Sequence, residues 1–309
     1  MITYLTCKSG FNEQQEWSPN AWINVTAPSM DETALLVDKF DIPQGFLNDI
    51  EDIEERPRLE VDEGWRMIVM RAPRRRTEDQ TLFSTVPMGV VMKGDVFATI
   101  CHYPLEMIDD YILFSRRKNH SEKNPNDLLL HLVLSSSVWY MKYLKYVNME
   151  TKDAEKHLER SVRNEELLEL MRIERTLVYF ITAIRGNEVM LVKLKSQLRQ
   201  AKDSYDDDLL EDVEIEMQQA RITANVHSDI LAGMMDAFAS VISNNLNQVM
   251  KRLTSASIIL MAPTLIASFY GMNVPNGMEG NEYGFLIIVA VCLVTCAAMF
   301  LLFKKMKWF

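Results

Sequence analysis

Two long uncharged segments near the C-terminus constrain this chain more than any other feature of its sequence. Residues 253–278 and residues 283–303 contain no Asp, Glu, Lys or Arg. Each segment is mostly apolar and long enough to cross the hydrocarbon core of a bilayer as a helix. The sequence therefore predicts two membrane spans, at about 253–270 and 283–303, joined by an outer loop at 271–282. A purely soluble protein and a disordered chain are both excluded.

Basic residues at the ends of the two spans predict their orientation. Lys251 and Arg252 precede the first span, Lys304, Lys305 and Lys307 follow the second, and the connecting loop has neither Lys nor Arg. Because positively charged flanks stay on the cytoplasmic side, both termini should be cytoplasmic and the loop outside. The N-terminal residues lack the apolar core of a signal peptide. We expect a multi-pass protein of the inner or plasma membrane, in contact with membrane lipid.

The rest of the chain is acidic. The net charge is −10, yet basic residues outnumber acids from Lys251 onward, so the acidic excess lies in the first 250 residues. Such a surface suits divalent cations, and without a basic stripe it does not suit nucleic acid. The sequence has no Walker pattern or Gly-rich phosphate loop, which argues against a nucleotide site. No nucleophile–base set and no carboxylate pair beside a cleft stands out, so an enzyme is the least supported class.

The cysteines and histidines do not form a recognisable metal or disulfide pattern. Cys7, Cys101, Cys292 and Cys296 have no zinc-ligand spacing, and the five histidines are scattered. Cys292 and Cys296 lie one helical turn apart in the second apolar segment. We interpret them as small, polarizable packing residues.

Residues 1–125 predict a mixed α/β domain. Short segments rich in Val, Ile and Met predict strands at 2–7, 22–26, 65–71, 88–92 and 96–102. Ser29 followed by Glu32 is a capping-box signature before an amphipathic stretch that ends at Phe40, and a second short helix should follow Pro43. Lys93-Gly94-Asp95 is typical of a hairpin turn.

Long helices should follow this domain. Residues 126–262 contain no proline and only two glycines, Gly186 and Gly233. Helical segments are predicted at 128–148, 152–185 and 188–202, and the last helix should run from about Leu209 to Tyr270. About 60 helical residues extend roughly 90 Å. We therefore expect a stalk at 126–250 that leads into a transmembrane region at 251–309 and needs partners from other chains.

A face of small, polar or flexible residues continues along the last helix and through the first span. Its members, at every seventh position with others interleaved, are Asp236, Ser243, Asn247, Met250, Ser257, Met261, Thr264 and Ser268. Polar groups within a span normally face a bundle interior or a water-filled path. Packing of small residues between helices is the alternative explanation. Two spans cannot enclose a wide path, so a pore would require a ring of chains.

The first span ends in Tyr270-Gly271-Met272-Asn273. A Y-G-M-N tetrad at the outer end of the first of two C-terminal spans resembles the signature of the CorA family of magnesium transporters. The similarity is strong over about 209–309 and weaker but collinear before that. It includes Ser243-Asn244-Asn245, Met261-Ala262-Pro263-Thr264, the terminal Phe303-Lys304-Lys305-Met306-Lys307-Trp308, Leu210-Glu211-Asp212-Val213 and Leu47-Asn48-Asp49-Ile50.

The resemblance implies a cytosolic α/β domain, long stalk helices and a two-helix transmembrane region. Five copies would form a funnel-shaped homopentamer whose first spans line one central pore, which fits the polar face described above. The implied function is Mg²⁺ influx driven by the membrane potential, with feedback gating by cytosolic Mg²⁺. Mg²⁺ would then be both the transported ion and a regulatory ligand.

The resemblance places the selectivity filter at Gly271, Met272 and Asn273. Mg²⁺ releases its waters reluctantly, so a ring of neutral oxygen atoms should bind the hydrated ion through its waters. Conduction needs weak, successive sites, and a carboxylate ring would hold a divalent ion too tightly. Glu279 and Glu282 would concentrate cations at the mouth.

Further along the pore, Met250, Leu253 and Met261 would form hydrophobic constrictions. Asn247 would hold a hydrated ion just inside this gate, and Asp236 would form a lower ring of acids.

Regulation is also implied by the resemblance. Asp49 and Asp212 match the paired acids that sense cytosolic Mg²⁺ between neighbouring subunits. Asn48 stands where the family often has a second acid, and Trp139 and Tyr140 stand where some relatives have acids. These differences put a second regulatory metal position in question.

Two other functions remain open at this point. A zinc, cobalt or nickel transporter could share the same fold, although no Cys or His falls on the pore face. A membrane-anchored coiled-coil interaction protein would transport nothing, and its Y-G-M-N tetrad would be incidental.

Overall fold

Seven strands form one mixed sheet in the N-terminal part of the chain. The computed structural model describes residues 1–7, 10–75, 82–119, 122, 124–160, 164–273, 277, 282–306 and 308. The strands are β1 Ile2–Cys7, β2 Phe11–Gln14, β3 Trp22–Thr26, β4 Arg58–Asp62, β5 Trp65–Arg75, β6 Phe83–Lys93 and β7 Val96–Cys101. Their order is β2-β1-β3-β7-β6-β5-β4. The β3–β7 pair is parallel and the other pairs are antiparallel.

All five predicted strands are confirmed, and β5 and β6 extend beyond their predicted bounds. The sequence does not predict β2 or β4, which are the two edge strands of the sheet. Both are short and polar, with the sequences FNEQ and RLEVD. An edge strand buries little of its surface, so it lacks the apolar run that marks an inner strand.

Two short helices cover one face of the sheet. They are α1 Met30–Phe40 and α2 Gln44–Glu51. The predicted capping box is present, since the Glu32 amide donates to Ser29 Oγ at 3.3 Å and the Ser29 amide to Glu32 Oε2 at 2.9 Å. Leu36 of α1 and Ile50 of α2 belong to a buried cluster with side chains of β3, β5, β6 and β7.

A side chain of α2 packs directly on the backbone of the sheet. A Cβ added at Gly89 of β6 would lie 2.2 Å from Cδ1 and 2.5 Å from Cγ1 of Ile50, so the glycine leaves room for this side chain. The predicted hairpin turn is also confirmed. Lys93 pairs with Val96, and Gly94 adopts a positive φ of +55° that favours glycine.

Five further helices follow: α3 Glu106–Lys118, α4 Pro125–Arg160, α5 Asn164–Ala201, α6 Asp207–Tyr270 and α7 Gly284–Lys305. Helices α4 and α5 contact β5 and cover the opposite face of the sheet, where Ile68 and Met70 are fully buried. The sequence does not predict α3, whose N-cap is Leu105 and makes no side-chain cap hydrogen bond.

The prediction of long helices is confirmed, but the division within them is wrong. The predicted division between residues 148 and 152 is absent, because α4 is continuous from Pro125 to Arg160. Gly186, between two predicted segments, instead lies inside α5. A Cβ at this position would lie 2.8 Å from Cγ of Pro57. The glycine thus permits close packing and does not end the helix.

The chain divides into two compact units, Met1–Gly233 and Met234–Phe309. The sheet and helices α1 to α5 belong to the first unit, and α7 belongs to the second. Helix α6 contributes residues to both. Helices α6 and α7 are each long and apolar enough to cross a membrane. They match the two predicted spans.

Candidate ion pathway and regulatory acids

The predicted pore residues all lie on α6 within the second unit, and all are exposed in the single chain. Met250, Leu253 and Met261 have exposed fractions of 53%, 61% and 67%. The polar members of the face are exposed as well: Asp236, Ser243, Asn247, Ser257, Thr264 and Ser268. No part of the chain that the structure describes buries this face.

Helix α7 packs against the other side of α6. The Sγ atoms of Cys292 and Cys296 lie 3.6 Å from the carbonyl oxygens of Pro263 and Ile259, respectively. Ser268 follows Ile259 by nine residues. Nine residues are two and a half helical turns, so Ser268 points away from α7. The structure therefore separates the α7 contact from the predicted pore face.

Two hydroxyl groups on the exposed face donate their protons to the helix backbone. Ser257 Oγ donates to the Leu253 carbonyl at 3.0 Å, and Thr264 Oγ1 to the Leu260 carbonyl at 2.7 Å. Each oxygen then presents its lone pairs as acceptors. The outer hydrogens of a hydrated cation are donors, because the water oxygens face the ion. These two oxygens therefore have the polarity that would suit a cation with its waters retained.

Helix α6 ends at the predicted filter. The Gly271 amide donates to the Ala267 carbonyl at 2.9 Å, and the Met272 amide to the Phe269 carbonyl at 3.4 Å. Gly271, Met272 and Asn273 are exposed. Gly271 has no positive φ. A Cβ here would lie 3.2 Å from the Ala267 oxygen, a tight contact with the preceding turn of the same helix.

The structure describes one of the two acids expected at the pore mouth. Glu282 is exposed. Glu279 lies outside the described residues, and so does Lys307 among the basic residues that predict the orientation.

The predicted regulatory acids lie on different elements of the first unit. Asp49 is on α2 and is partly exposed, and Asp212 is exposed near the start of α6. Within one chain, no hydrogen bond or ion pair among the described residues joins them. The part of the chain that the structure describes also has no group of three or more His, Cys, Asp or Glu side chains that could hold a metal.

Asp49 already has a positively charged partner. Arg58 Nη2 lies 2.6 Å from Asp49 Oδ2, and the same guanidinium pairs with Glu55 and, at 3.2 Å, with Glu60. Burial alone would lower the pKa of Arg58. Glu55, Asp49 and Glu60 outweigh this effect and raise it, so the guanidinium stays charged.

The residues at the questioned second metal position have other roles. Asn48 Oδ1 accepts a hydrogen bond from Gln44 Nε2 at 2.9 Å. Trp139 and Tyr140 are buried, and Tyr140 Oη donates to the Arg71 carbonyl at 2.9 Å. Burial raises the pKa of Tyr140. Tyr140 therefore belongs to the core between α4 and the sheet, whereas Trp139 lines a cavity between α3 and α4.

A family model described as CorA-like Mg²⁺ transporter protein matches residues 18–305. The chain belongs to the CorA family. The cobalt/magnesium transport protein CorA of Methanocaldococcus jannaschii is 27% identical over 291 residues, which cover 93% of this chain and 90% of that protein. The protein of the same name from Thermotoga maritima is 28% identical over 315 residues, covering 94% and 84%.

A solved CorA structure agrees with the fold of the whole chain. The complete CorA magnesium transporter from M. jannaschii matches with a TM-score of 0.85 at 24% identity, covering 100% of this chain and 99% of that one. The full-length CmaX protein matches with a TM-score of 0.72 at 14% identity. At these identities the similarity establishes the fold alone.

Two residues of this CorA chain make specific contacts that its sequence does not predict. Arg58 lies in a segment rich in acids from Asp49 to Glu60, and this local excess of acids is the signal that indicates a basic partner. Cys296 gives no local signal, because its acceptor, the Ile259 carbonyl, lies on another helix.

Proposed function

We propose that this chain is one subunit of a homopentameric channel through which Mg²⁺ enters the cell. The observation that carries the proposal is the exposed acceptor face of α6. It lies opposite α7 and extends to Gly271, Met272 and Asn273. Family membership over 18–305 supports the same function.

One chain leaves this face open, so neighbouring copies must complete the pathway. Five first spans, at about 253–270, would surround the pore, and the second spans, at 283–303, would surround them. The apolar side chains of α7 are mostly exposed in the single chain and suit contact with lipid. The α/β domain at 1–125 and the stalk at 126–250 would lie in the cytoplasm. Both termini would lie there too, with the loop at 271–282 outside.

The filter would recognise the hydrated ion. Asn273 offers an amide oxygen, and the backbone of Gly271 and Met272 offers carbonyl oxygens. Neutral acceptors bind the retained waters weakly enough for the ion to leave. Ser268, Thr264 and Ser257 would continue this ladder of acceptors inward. Met250, Leu253 and Met261 would form the hydrophobic gate, followed by Asn247 and then Asp236.

The membrane potential would drive inward movement without a nucleotide. Two positive charges crossing 100 mV gain about 4.6 kcal/mol. The acidic surface of the cytosolic part would favour cations on arrival.

Asp49 of one subunit and Asp212 of its neighbour would together form the sensor. Within one chain no hydrogen bond or ion pair among the described residues joins the two acids, which is consistent with a site between chains. Cytosolic Mg²⁺ bound between the two acids would offset their repulsion and stabilise the closed state. A ligand shifts such a gate only by its differential affinity for the two states.

Other divalent cations are the nearest alternative cargo. The two CorA relatives described above are named as cobalt/magnesium transport proteins, which supports Co²⁺ as a second transported ion. Ni²⁺ and Zn²⁺ are tested in the same assay. A membrane-anchored interaction protein without transport predicts no flux of any ion.

Reconstitution tests the proposal directly. The full-length protein is placed in liposomes that contain a Mg²⁺-sensitive dye, and a potassium gradient with valinomycin sets the potential. We expect Mg²⁺ entry that increases with an inside-negative potential. Protein-free liposomes are the control. Absence of flux of Mg²⁺, Co²⁺, Ni²⁺ and Zn²⁺ through an assembled oligomer would overturn the transport function.

A further inference from the structure

Pro263 leaves one carbonyl of α6 without its helical donor. In an α-helix the amide of residue 263 would donate to the carbonyl of Ile259, but proline has no amide hydrogen. An unpaired carbonyl is costly in hydrocarbon, where no water replaces the lost donor. Proline within a span is therefore tolerated where a neighbouring helix supplies another donor.

Cys296 of α7 lies at this carbonyl. Its Sγ atom is 3.6 Å from the Ile259 oxygen. Cys292, one turn earlier on the same face of α7, lies 3.6 Å from the Pro263 oxygen. The two acceptors differ in one respect. The Pro263 carbonyl can still accept a hydrogen bond from the Ala267 amide, whereas the Ile259 carbonyl has lost its amide donor.

Nearby hydroxyl groups of α6 are already directed elsewhere. Thr264 Oγ1 donates to the Leu260 carbonyl at 2.7 Å, and Ser255 Oγ donates to the Lys251 carbonyl at 2.8 Å. Within the described residues of α6 and α7, Cys296 supplies the side-chain donor found at the Ile259 oxygen. The Cys296 thiol is thus placed to donate to the carbonyl that has lost its amide partner.

We propose that Cys296 is a positioning residue, whose thiol replaces the amide hydrogen missing at Pro263 and so fixes α7 against the pore-lining helix. Met261 lies two residues before Pro263 and Thr264 directly after it, and both belong to the exposed face of α6. The Cys296 contact therefore holds the part of α6 that presents Met261 and Thr264 to the pathway. The consequence for ion flow rests on the proposed function, whereas the hydrogen bond itself does not.

A double-mutant cycle between positions 296 and 263 tests the assignment. In Pro263→Ala the amide of residue 263 returns to the Ile259 carbonyl, so the thiol becomes dispensable. We expect Cys296→Ala to lower the Tm of the full-length protein in detergent by about 2–4 °C in the native background. The loss of Tm from the same change should be clearly smaller in Pro263→Ala, because only the packing of the sulfur atom is then removed.

Matched variants separate the hydrogen bond from packing. Cys296→Ser keeps a donor and should retain most of the native Tm, although it loses the larger sulfur atom. Cys292→Ala removes a thiol from the same face, but its acceptor keeps an amide partner, so the Tm loss should be smaller. Equal losses for Cys296→Ala in both backgrounds would overturn the proposal.

Infrared spectroscopy gives a readout that depends on neither transport nor assembly strength. The S–H stretch assigned by difference between the native protein and Cys296→Ala should lie at the lower frequency of a hydrogen-bonded thiol. A free-thiol frequency at Cys296 would overturn the proposal even if Pro263→Ala failed to fold. Loss of Mg²⁺ flux with an intact S–H signature would count against the transport function alone.

Discussion

Arg58 Nη2 lies 2.6 Å from Oδ2 of Asp49, so the acid proposed to sense Mg²⁺ has a cation of its own chain beside it. The same guanidinium also pairs with Glu55 and Glu60. A metal ion that binds Asp49 must therefore share the carboxylate with Arg58 or displace it. The side chains of Arg58 and Asp49 are 31% and 40% exposed, so water screens the pair and the competition is modest.

Replacing this internal cation should make the sensor more sensitive. In Arg58→Ala the acids lose their common partner and attract Mg²⁺ more strongly. We expect half-inhibition at an internal Mg²⁺ concentration about two- to fivefold lower, as a partly exposed pair implies. Flux is measured against internal Mg²⁺. Arg56→Ala, which removes an exposed positive charge nearby, should leave the curve in place. A shift to higher Mg²⁺ in Arg58→Ala would contradict this competition.

Removing the sensing acids should have the opposite effect. Asp212→Ala, alone or with Asp49→Ala, should weaken inhibition by internal Mg²⁺ while conduction persists, because Mg²⁺ then loses the carboxylates through which it stabilises the closed state. Sparse oxygen sites have dissociation constants on the order of 10⁻⁴–10⁻³ M, so the titration must cover that range. Asp229→Ala provides an exposed acid of the same helix as a control. An unchanged inhibition curve in the double variant would remove both acids from the sensor.

Asn273→Ala should abolish Mg²⁺ uptake without preventing assembly, since it removes the amide ring that binds the hydrated ion. Uptake into liposomes and the oligomer size in detergent are measured together. Asn244→Ala changes an exposed asparagine of α6 outside the predicted face and should transport normally. Native uptake rates in an assembled Asn273→Ala oligomer would exclude the filter assignment.

The orientation of the chain can be read from thiol labelling. Glu282→Cys should react with an impermeant thiol reagent added outside intact cells, whereas Lys304→Cys should react only after the membrane is opened. Both positions are exposed in the structure. The native protein, with its four cysteines, provides the background signal. The reverse pattern would show that the charge argument gives the wrong topology.

Acidification should destabilise the protein through His227. Burial and the nearby charge of Lys152 lower the pKa of His227 below 6.5. The unfolded chain therefore binds a proton first, so this contribution to stability is present above about pH 6.5 and is lost as the pH falls through the lower folded pKa. The fall in Tm from about pH 7.5 to about pH 5.5 should be smaller in His227→Gln. Exposed His157→Gln should behave like the native protein.

The sequence predicts those parts of the fold whose signals are local. The charge-free segments, the absence of proline over 126–262 and the Ser29–Glu32 capping box each depend on neighbouring residues, and each has its predicted counterpart in the structure. The edge strands β2 and β4 escape prediction because their pairing partners, rather than their own side chains, make them strands. Gly186 misleads for a related reason, since its role depends on Pro57, which is distant in the sequence.

The candidate site divides in the same way. The polar face of α6 follows from helical periodicity along one element. The Arg58–Asp49 pair and the approach of Cys296 to Ile259 join residues on different elements, and neither follows from periodicity. Composition identifies such residues only as charges or small side chains, and the tertiary fold decides which partner each one has.

The absent side chain at Gly186 has a mechanical consequence. Pro57 rests directly on the backbone of α5, with no flexible group between them to absorb a displacement, and it immediately precedes Arg58. Helix α5 extends over 38 residues, from Asn164 to Ala201. A shift of this helix at Gly186 would therefore displace Pro57, the neighbour in sequence of the arginine that pairs with Asp49.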